Sequence, residues 1–240
     1  MNKDKMFLYG KNSILERLKV NPGSVKKVYL QDNFDIGEIL KLVKKNNIPS
    51  ERVSERGLEK IKRAARLQGI IAEVERFIYT DFDKLLDGKL SIIFLDNLND
   101  PHNLGSIVRI AACFGGFGLV IPKHRSCEVT DAVMHVSSGG ENFVPISLVT
   151  NITSALMKAK QSGYWVVGAT VDNGEDITKA DLPYPLCLVL GSEGRGIRHG
   201  IEKHLDKRVT IPMKGKDLSF NVAMAGAIFC HEISNRRKEQ

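Results

Sequence analysis

An amide and a cation stand on the first two turns of a predicted helix that follows an apolar strand. Residues 95–115 read LDNLNDPHNLGSIVRIAACFG, and Asp100 followed by Pro101 is a good start for a helix. That helix carries Asn103 and Arg109. An arginine stays charged at physiological pH and can stabilise developing negative charge. A surface arginine beside a packing glycine is the alternative for this segment taken alone.

Two later segments repeat the order of apolar strand, glycine-rich loop and helix. LVLGSEGRGI (188–197) has three glycines around the acid Glu193. IPMKGKDLSFNVAMAGAI (211–228) offers Ser219 as the N-cap of a helix that has Asn221 in its first turn. The glycine spacing is neither that of the dinucleotide fingerprint nor that of the P-loop. Each loop taken alone could be an ordinary connection between a strand and a helix. Three such strand ends nevertheless predict a nucleotide-like site assembled from several loops.

Composition describes an ordinary globular protein of 240 residues, with 42% hydrophobic and 26% charged residues. The longest apolar runs are too short to span a bilayer, and the N-terminus has no signal-peptide pattern, so we expect a cytoplasmic protein. The four cysteines form no CxxC pair and the six histidines form no ligand cluster. The spacing therefore predicts neither a structural nor a catalytic metal.

The charge is unevenly distributed along the chain. Residues 1–76 hold 17 Lys plus Arg against 10 Asp plus Glu, whereas residues 77–240 hold 18 of each, so the net charge of +7 belongs to the first third. A basic module joined to a neutral one suggests that the first attracts a polyanion while the second performs chemistry. A solvated lysine-rich surface is the alternative. The cations predicted to face the polyanion are Lys26, Lys27, Lys62, Arg63 and Arg66.

The helix and strand patterns predict an α/β protein with two domains. Residues 1–76 form a small α/β domain with the strands VKKVYL and GIIAEVE, and a capping box at Ser13 to Glu16 starts its first helix. Residues 77–89 are a predicted linker, and residues 90–240 a second domain with a regular βα rhythm. Several of its strands are apolar throughout, which is typical of a parallel sheet with helices on both faces. These predicted strands are SIIFLD, FGLVIP, NFVPISL, YWVVGAT, LCLVLG and RVTIP.

The segments DNLNDPHNLGSIVRIAACFG, LVLGSEGRGI and IPMKGKDLSFNVAMAGAI together resemble the three motifs of the SpoU/TrmH family of RNA ribose 2′-O-methyltransferases, in the SPOUT superfamily. They occur in the family's order, and the resemblance runs through essentially all of residues 90–235. YGKNSILERLK and LQGIIAEVE are similar to the small RNA-binding domain of the RlmB-type 23S rRNA guanosine methyltransferases. This second resemblance agrees with the charge distribution.

The resemblance implies a trefoil-knotted α/β domain, S-adenosylmethionine bound in a bent conformation, and a homodimer that packs through the knot regions. The residues implied to bind the cofactor are Thr170, Gly191, Ile211, Met213 and Phe220. The residues implied to surround the methyl-transfer centre are Arg109, Asn103, Glu193, Ser219 and Asn221. The chain departs from the family pattern at Phe220, at Ala223 and in the looser stretch HVSSGGENFVP.

These observations predict methylation of a ribose 2′-hydroxyl in structured RNA, with S-adenosylmethionine as cofactor and with neither a metal nor a membrane involved. The N-terminal resemblance favours a guanosine of 23S rRNA, and tRNA is the alternative substrate. A non-catalytic RNA-binding or ribosome-assembly factor is a second interpretation, although the chain retains the polar residues of the motifs. A nicotinamide-dependent oxidoreductase fits the βα rhythm but lacks the glycine fingerprint and the acid that follows it.

Overall fold

The chain folds into two compact units, seen in a computed structural model. The residues described are 5–64, 66–192, 194, 196–215 and 218–237. The first unit contains the described residues up to Ile78 together with Val129–Asn142. The second contains Tyr79–Glu128 and the described residues from Phe143 onward. Each unit has its own sheet and is described by itself.

Strands and helices are numbered in chain order through the described part of the chain. The strands are β1 (Met6–Tyr9), β2 (Val25–Gln31), β3 (Ser50–Val53), β4 (Ile70–Val74), β5 (Ser91–Leu95), β6 (Phe117–Pro122), β7 (Ile146–Val149), β8 (Trp165–Ala169), β9 (Glu175–Asp176), β10 (Leu186–Leu190) and β11 (Lys207–Thr210). The helices are α1 (Lys11–Val20), α2 (Gly37–Lys45), α3 (Glu55–Ile61), α4 (Phe82–Asp87), α5 (Pro101–Phe114), α6 (Asp131–Ser137), α7 (Ile152–Gln161), α8 (His199–Glu202) and α9 (Val222–Arg237).

The first unit is built on a four-stranded mixed sheet with the strand order β1-β4-β2-β3. Strand β4 runs antiparallel to β1 and β2, whereas β2 and β3 are parallel. Strands β2 and β4 confirm the predictions for VKKVYL and GIIAEVE, whose β-branched residues mark them. Strands β1 and β3 have only four residues each, too few for a recognisable alternation.

Helix α1 begins before the predicted capping box, so that prediction is wrong. Its N-cap is Gly10, whose φ of 88° lies in the left-handed region that favours glycine. The amide of Lys11 donates to Gln68 Oε1 at 2.7 Å, which satisfies one of the first N–H groups of the helix. Ser13 lies inside the helix, and its hydroxyl donates to the Met134 carbonyl at 3.2 Å.

Residues 129–142 belong to the first unit although they follow two strands of the second. A buried ion pair holds them, in which Arg17 of α1 meets Glu141 at 3.1 Å with side chains that are 8% and 0% exposed. The Ser137 hydroxyl donates to the other oxygen of this carboxylate at 2.6 Å. The predicted division assigned the segment to the second domain, because local patterns carry no sign of contacts more than a hundred residues away.

The second unit is built on a seven-stranded sheet with the order β7-β6-β5-β10-β8-β11-β9, in which all neighbouring strands are parallel. Every residue of β5, β6 and β10 is buried, so both faces of the sheet centre are covered. The six predicted strands and the parallel α/β class are confirmed. Strand β9 has only two residues and is too short to be predicted from a sequence pattern.

Helices pack against the sheet of the second unit. Helices α4, α7 and α8 share one buried cluster with β5, and this cluster includes Phe94 and Leu156. Helices α5 and α9 pack against each other. A Cβ on Gly226 of α9 would lie 3.4 Å from Leu190 and 3.7 Å from Ile107 of α5. The bare glycine therefore lets α9 lie close to both β10 and α5.

Two arginines anchor the last turn of α9. Arg236 donates to the Ile177 carbonyl at 2.7 Å. Arg237 donates to the Gly116 carbonyl, also at 2.7 Å. None of the described helices, α9 included, is long and apolar enough to cross a membrane. The trefoil knot implied by the resemblance stays a prediction.

Candidate functional site

A cavity of about 1070 Å³ lies at the carboxyl edge of the seven-stranded sheet. The strands are parallel, so the chain segments that follow them emerge at this one edge although they are far apart in sequence. The segments after β8, β10 and β11 form most of the wall, and α9 adds Ala225 and Phe229. The lining residues fall within 169–173, 190–196, 210–215 and 218–222, besides those of α9.

Seven of the predicted site residues lie in the cavity wall. They are Thr170, Gly191, Ile211, Met213, Ser219, Phe220 and Asn221. The amide of Thr170 donates to the Val209 carbonyl at 2.9 Å, which ties the end of β8 to β11. Phe220 is 43% exposed and offers an apolar surface in the cavity wall. The second and third motifs thus meet in one cavity, and cofactor binding by these residues stays a prediction.

The loop after β10 is folded back on itself by main-chain hydrogen bonds. Ser192 and Gly196 exchange two N–H···O bonds of 3.1 and 2.9 Å. A Cβ on Gly191 would lie 2.1 Å from the carbonyl carbon of Gly196, so no side chain fits there. Gly194 has a φ of 78°, in the left-handed region. The loop therefore brings bare main-chain groups to the cavity wall.

A buried carboxylate that directly follows β5 also holds this loop. Asp96 is 1% exposed, and it accepts from Arg198 Nε at 2.7 Å and from the Arg198 amide at 3.1 Å. The amide of Asp96 donates to the Leu190 carbonyl at 2.9 Å. Asp96 therefore connects the end of β5 to both ends of the loop 191–197. The sequence motifs do not assign it a role, and its position after an apolar strand is the signal that could have found it.

Helix α9 is capped by Asn221 and not by Ser219, so the predicted cap is wrong. Asn221 Oδ1 accepts from the Ala223 amide at 2.9 Å, and the Asn221 carbonyl accepts from the Ala225 amide at 2.9 Å. The Asn221 side chain also donates from Nδ2 to Asn103 Oδ1 at 3.0 Å. Because Asn103 is buried on α5, this bond joins the first motif to the third at the cavity wall.

Arg109 lies on α5 six positions after Asn103, and it is exposed. Residues three or four positions apart share a helix face, so these two side chains leave α5 on different sides. Neither residue belongs to the described lining of the cavity. Glu193 lies outside the described residues. The roles expected of Arg109 and Glu193 stay predictions.

Three of the five cations predicted to face a polyanion are paired with carboxylates of their own unit. The pairs are Lys26 with Glu75, Lys27 with Glu51 and Lys62 with Asp131. The hydrogen bond to Glu51 raises the pKa of Lys27. Arg63 and Arg66 are exposed, and the described part of the chain offers them no hydrogen bond or ion pair. Among the five, these two arginines present the most available charge.

Within the described ranges, no group of three or more His, Cys, Asp or Glu residues is arranged to hold a metal ion. All four cysteines are free thiols. Burial raises the pKa of Cys230 to about 12 and also raises the pKa of Cys187, so both stay protonated at neutral pH. These two thiols act as core side chains.

Two protein-family models match this chain, and one of them covers the three motifs. Residues 91–231 match the model of the SpoU rRNA Methylase family, which covers more than half of the chain. The chain belongs to the SpoU methylase family. Residues 7–80 of this SpoU-family protein match a second model, described as RNA 2′-O ribose methyltransferase substrate binding. The resemblance to the SpoU/TrmH family is confirmed, and the RlmB-type subgroup stays a prediction.

Relatives along the whole chain agree with the SpoU assignment. A putative TrmH family tRNA/rRNA methyltransferase of Staphylococcus saprophyticus is 32% identical over 98% of this chain and 97% of its own length. A putative RNA methyltransferase of the TrmH family from Porphyromonas gingivalis has a TM-score of 0.79 at 26% identity, over 98% of this chain and 91% of the other. The SpoU methyltransferase AviRb from Streptomyces viridochromogenes, crystallised with AdoMet, shares the fold with a TM-score of 0.83 at 20% identity, over 99% and 92%.

Proposed function

We propose that this SpoU-family methyltransferase transfers the methyl group of S-adenosylmethionine to a ribose 2′-hydroxyl in structured RNA, with release of S-adenosylhomocysteine and of the hydroxyl proton to water. The observation that carries the proposal is the convergence of the described residues of the loops after β10 and β11 on one cavity, which the Asn221–Asn103 hydrogen bond joins to α5. The match of residues 7–80 to a substrate-binding model of RNA 2′-O-ribose methyltransferases supports both the reaction and the substrate class.

S-adenosylmethionine is the cofactor of the family, and the cavity suits its size and chemistry. The volume of about 1070 Å³ slightly exceeds the roughly 300–1,000 Å³ typical of small-molecule sites. Main-chain groups beside Gly191 can hydrogen-bond an adenine edge or a ribose. The apolar walls come from Ile211, Met213 and Phe220, and a hydroxyl comes from Thr170. The cofactor, when bound, supplies a methyl group on a positively charged sulfur, which is a strong electrophile.

The residues around the cavity then have to align and activate a weak nucleophile, the ribose hydroxyl. We assign to Arg109 the stabilisation of negative charge on the 2′ oxygen, because a guanidinium stays protonated and is a poor base. The assignment rests on the resemblance of its segment to the first motif of the family, since Arg109 does not line the described cavity of the single chain. Asn103 and Asn221 hold each other at 3.0 Å and would position the ribose. Ser219 and Glu193 would complete the network that keeps the ribose and Arg109 in register.

Replacing Arg109 tests this assignment. Arg109→Ala should lower the methyl-transfer rate by about 10²–10³-fold, as the loss of an oxyanion donor does, and should leave cofactor affinity unchanged. The measurement is transfer of labelled methyl from S-adenosylmethionine to total RNA from a strain that lacks the gene. Arg208→Ala removes another exposed arginine, on β11, and should leave the rate unchanged. A rate for Arg109→Ala within a few-fold of wild type would contradict the role.

We propose a guanosine of 23S rRNA as the substrate, with tRNA as the alternative. The description of the matched family, SpoU rRNA Methylase, favours rRNA, whereas the name of the Staphylococcus saprophyticus relative includes both RNAs. Mapping of ribose methylation in total RNA, with and without the gene, identifies the nucleotide. A modification that disappears from 23S rRNA supports the proposal, and a loss confined to tRNA selects the alternative.

A homodimer, a trefoil knot in the second unit and a cytoplasmic location complete the proposal. Exposed apolar side chains at the cavity support the dimer, since Leu218 and Phe220 of its wall and Met224 of α9 are 69%, 43% and 63% exposed. Clustered apolar side chains on a surface commonly mark a protein interface. Sedimentation that shows only monomer at micromolar concentration would contradict the dimer.

A further inference from the structure

We propose that the loop after β6, residues 123–127, is a phosphate-contacting surface for RNA within the second unit. The inference rests on the function proposed above. The loop contains Lys123, His124 and Arg125 in succession. The proposed surface extends RNA binding beyond the basic first 76 residues into residues 77–240, whose formal charge is balanced.

The three side chains of this run are exposed, and none makes a hydrogen bond or an ion pair with the described residues. Two carboxylates lie close to the loop, since both act on the neighbouring thiol of Cys127. Asp100 is engaged as the N-cap of α5, where it accepts from the His102 amide at 2.9 Å. Glu128 forms no ion pair with the run. The positive charges are therefore available to an external anion.

The main chain of the loop is held at both ends. The amide of Lys123 donates to the Val149 carbonyl at 2.8 Å, and the amide of Cys127 donates to the Leu98 carbonyl at 2.8 Å. Arg125, between them, has a φ of 58°, a left-handed conformation that is costly for a residue with a side chain. Because the backbone is already ordered, an anion that binds here has only the side chains left to order.

The loop lies at the same edge of the sheet as the cavity, since β6 is parallel to its neighbours. The order β6-β5-β10 puts the end of β6 two strand spacings, or about 10 Å, from the end of β10. The strand between them leads to α5 and its Asn103. An RNA that presents one ribose to the cavity therefore carries neighbouring phosphates within reach of the loop.

The opposite side of the cavity carries mixed charge. Exposed Asp172 lies in the wall after β8, and exposed Lys214 follows β11. Beyond them, the edge strand β9 consists of the acids Glu175 and Asp176. An RNA strand that leaves the cavity over β5 and β6 meets Lys123 and Arg125, which have no side-chain partner in the described part of the chain. One that leaves over β9 meets Asp176 and also Glu175, which is paired with Lys207 at 3.1 Å. The charges thus favour the path over β6.

A pair of matched variants tests the inference. Lys123→Ala/Arg125→Ala removes two cations from the loop. Lys89→Ala/Lys203→Ala removes two exposed lysines that precede β5 and β11, at the amino edge of the sheet, and serves as the control. Binding of a fluorescein-labelled hairpin RNA to the full-length protein is measured at a series of NaCl concentrations. Each phosphate group that the protein no longer neutralises should reduce the slope of log affinity against log salt by about 0.7–0.9.

The loop variant is expected to show a slope smaller by about 1.4–1.8 and weaker binding, while the control keeps the wild-type slope. Calorimetry with S-adenosylmethionine should give wild-type affinity for both variants, which shows that they are folded. Equal slopes for the two variants would overturn the inference and leave the proposed function standing. A wild-type protein that binds no S-adenosylmethionine would instead contradict the proposed function, and the inference would lose its basis.

Discussion

The cations of the first unit and those of the loop 123–127 differ in what surrounds them. In the first unit, Lys26, Lys27 and Lys62 each meet a carboxylate. In the loop, three consecutive cationic or ionisable side chains have no such partner in the described part of the chain. Residues 1–76 hold the formal excess of positive charge, yet part of it is compensated locally. We therefore expect the pairing of individual cations to predict polyanion binding better than the net charge of a segment does.

The largest effect is expected on cofactor binding, in a variant that tests whether the cofactor site belongs to the second unit alone. Gly191→Ala should abolish detectable binding of S-adenosylmethionine, because the new Cβ would lie 2.1 Å from main-chain carbon of Gly196. Hairpin RNA should still bind through the cations. Gly200→Ala is the control, since its Cβ would meet nothing within 4 Å. Calorimetry that gives Gly191→Ala near wild-type cofactor affinity would contradict the role of this loop.

An intermediate effect is expected within the first unit. Arg63→Ala/Arg66→Ala should reduce the salt slope of RNA binding by about 1.4–1.8, if each arginine contacts one phosphate. Lys26→Ala/Lys27→Ala should change it much less, because each lysine is already bound to a carboxylate. Both double variants remove two charges, so net charge alone predicts equal slopes. Equal slopes for the two double variants would contradict the expectation that paired lysines contribute less to RNA binding.

The smallest effect concerns the hydrogen bonds that organise the uncharged part of the site. Asn221→Ala should lower the free energy of unfolding by about 1 kcal/mol, because α9 loses its N-cap. Asn221→Ser keeps a capping oxygen, so most of this stability should return in urea denaturation. Both variants lose the donation to Asn103, and both should methylate RNA more slowly. A Ser variant with full activity would argue against a positioning role for this bond.

The central sheet and the gathering of the loops could be predicted from the sequence. SIIFLD and LCLVLG are apolar on both faces, which indicates buried parallel strands, and parallel strands deliver their following loops to one edge. For this reason Thr170, Gly191 and Ile211 line one cavity although twenty residues or so separate each from the next. Their convergence follows from topology alone.

The remaining features depend on tertiary contacts that local patterns do not encode. Ser219 and Asn221 are both good N-caps by type, and Asn221, which caps α9, also bonds to Asn103, 118 residues away in the chain. The pairing of Lys26 depends on Glu75, which lies on another part of the first unit's chain. The buried partner of Arg198 could not be identified from spacing alone, since about a hundred residues separate it from Asp96.

The place of residues 129–142 in the first unit has a consequence for biosynthesis. Translation proceeds at about 5–20 residues per second, so the ribosome needs roughly 3–13 s to continue from Ile78 to Asn142. During that interval Arg17 cannot form its ion pair with Glu141, which has not yet been synthesised, while β5 and β6 are already being made. The first unit can therefore complete its contacts only after β5 and β6 of the second unit have been synthesised.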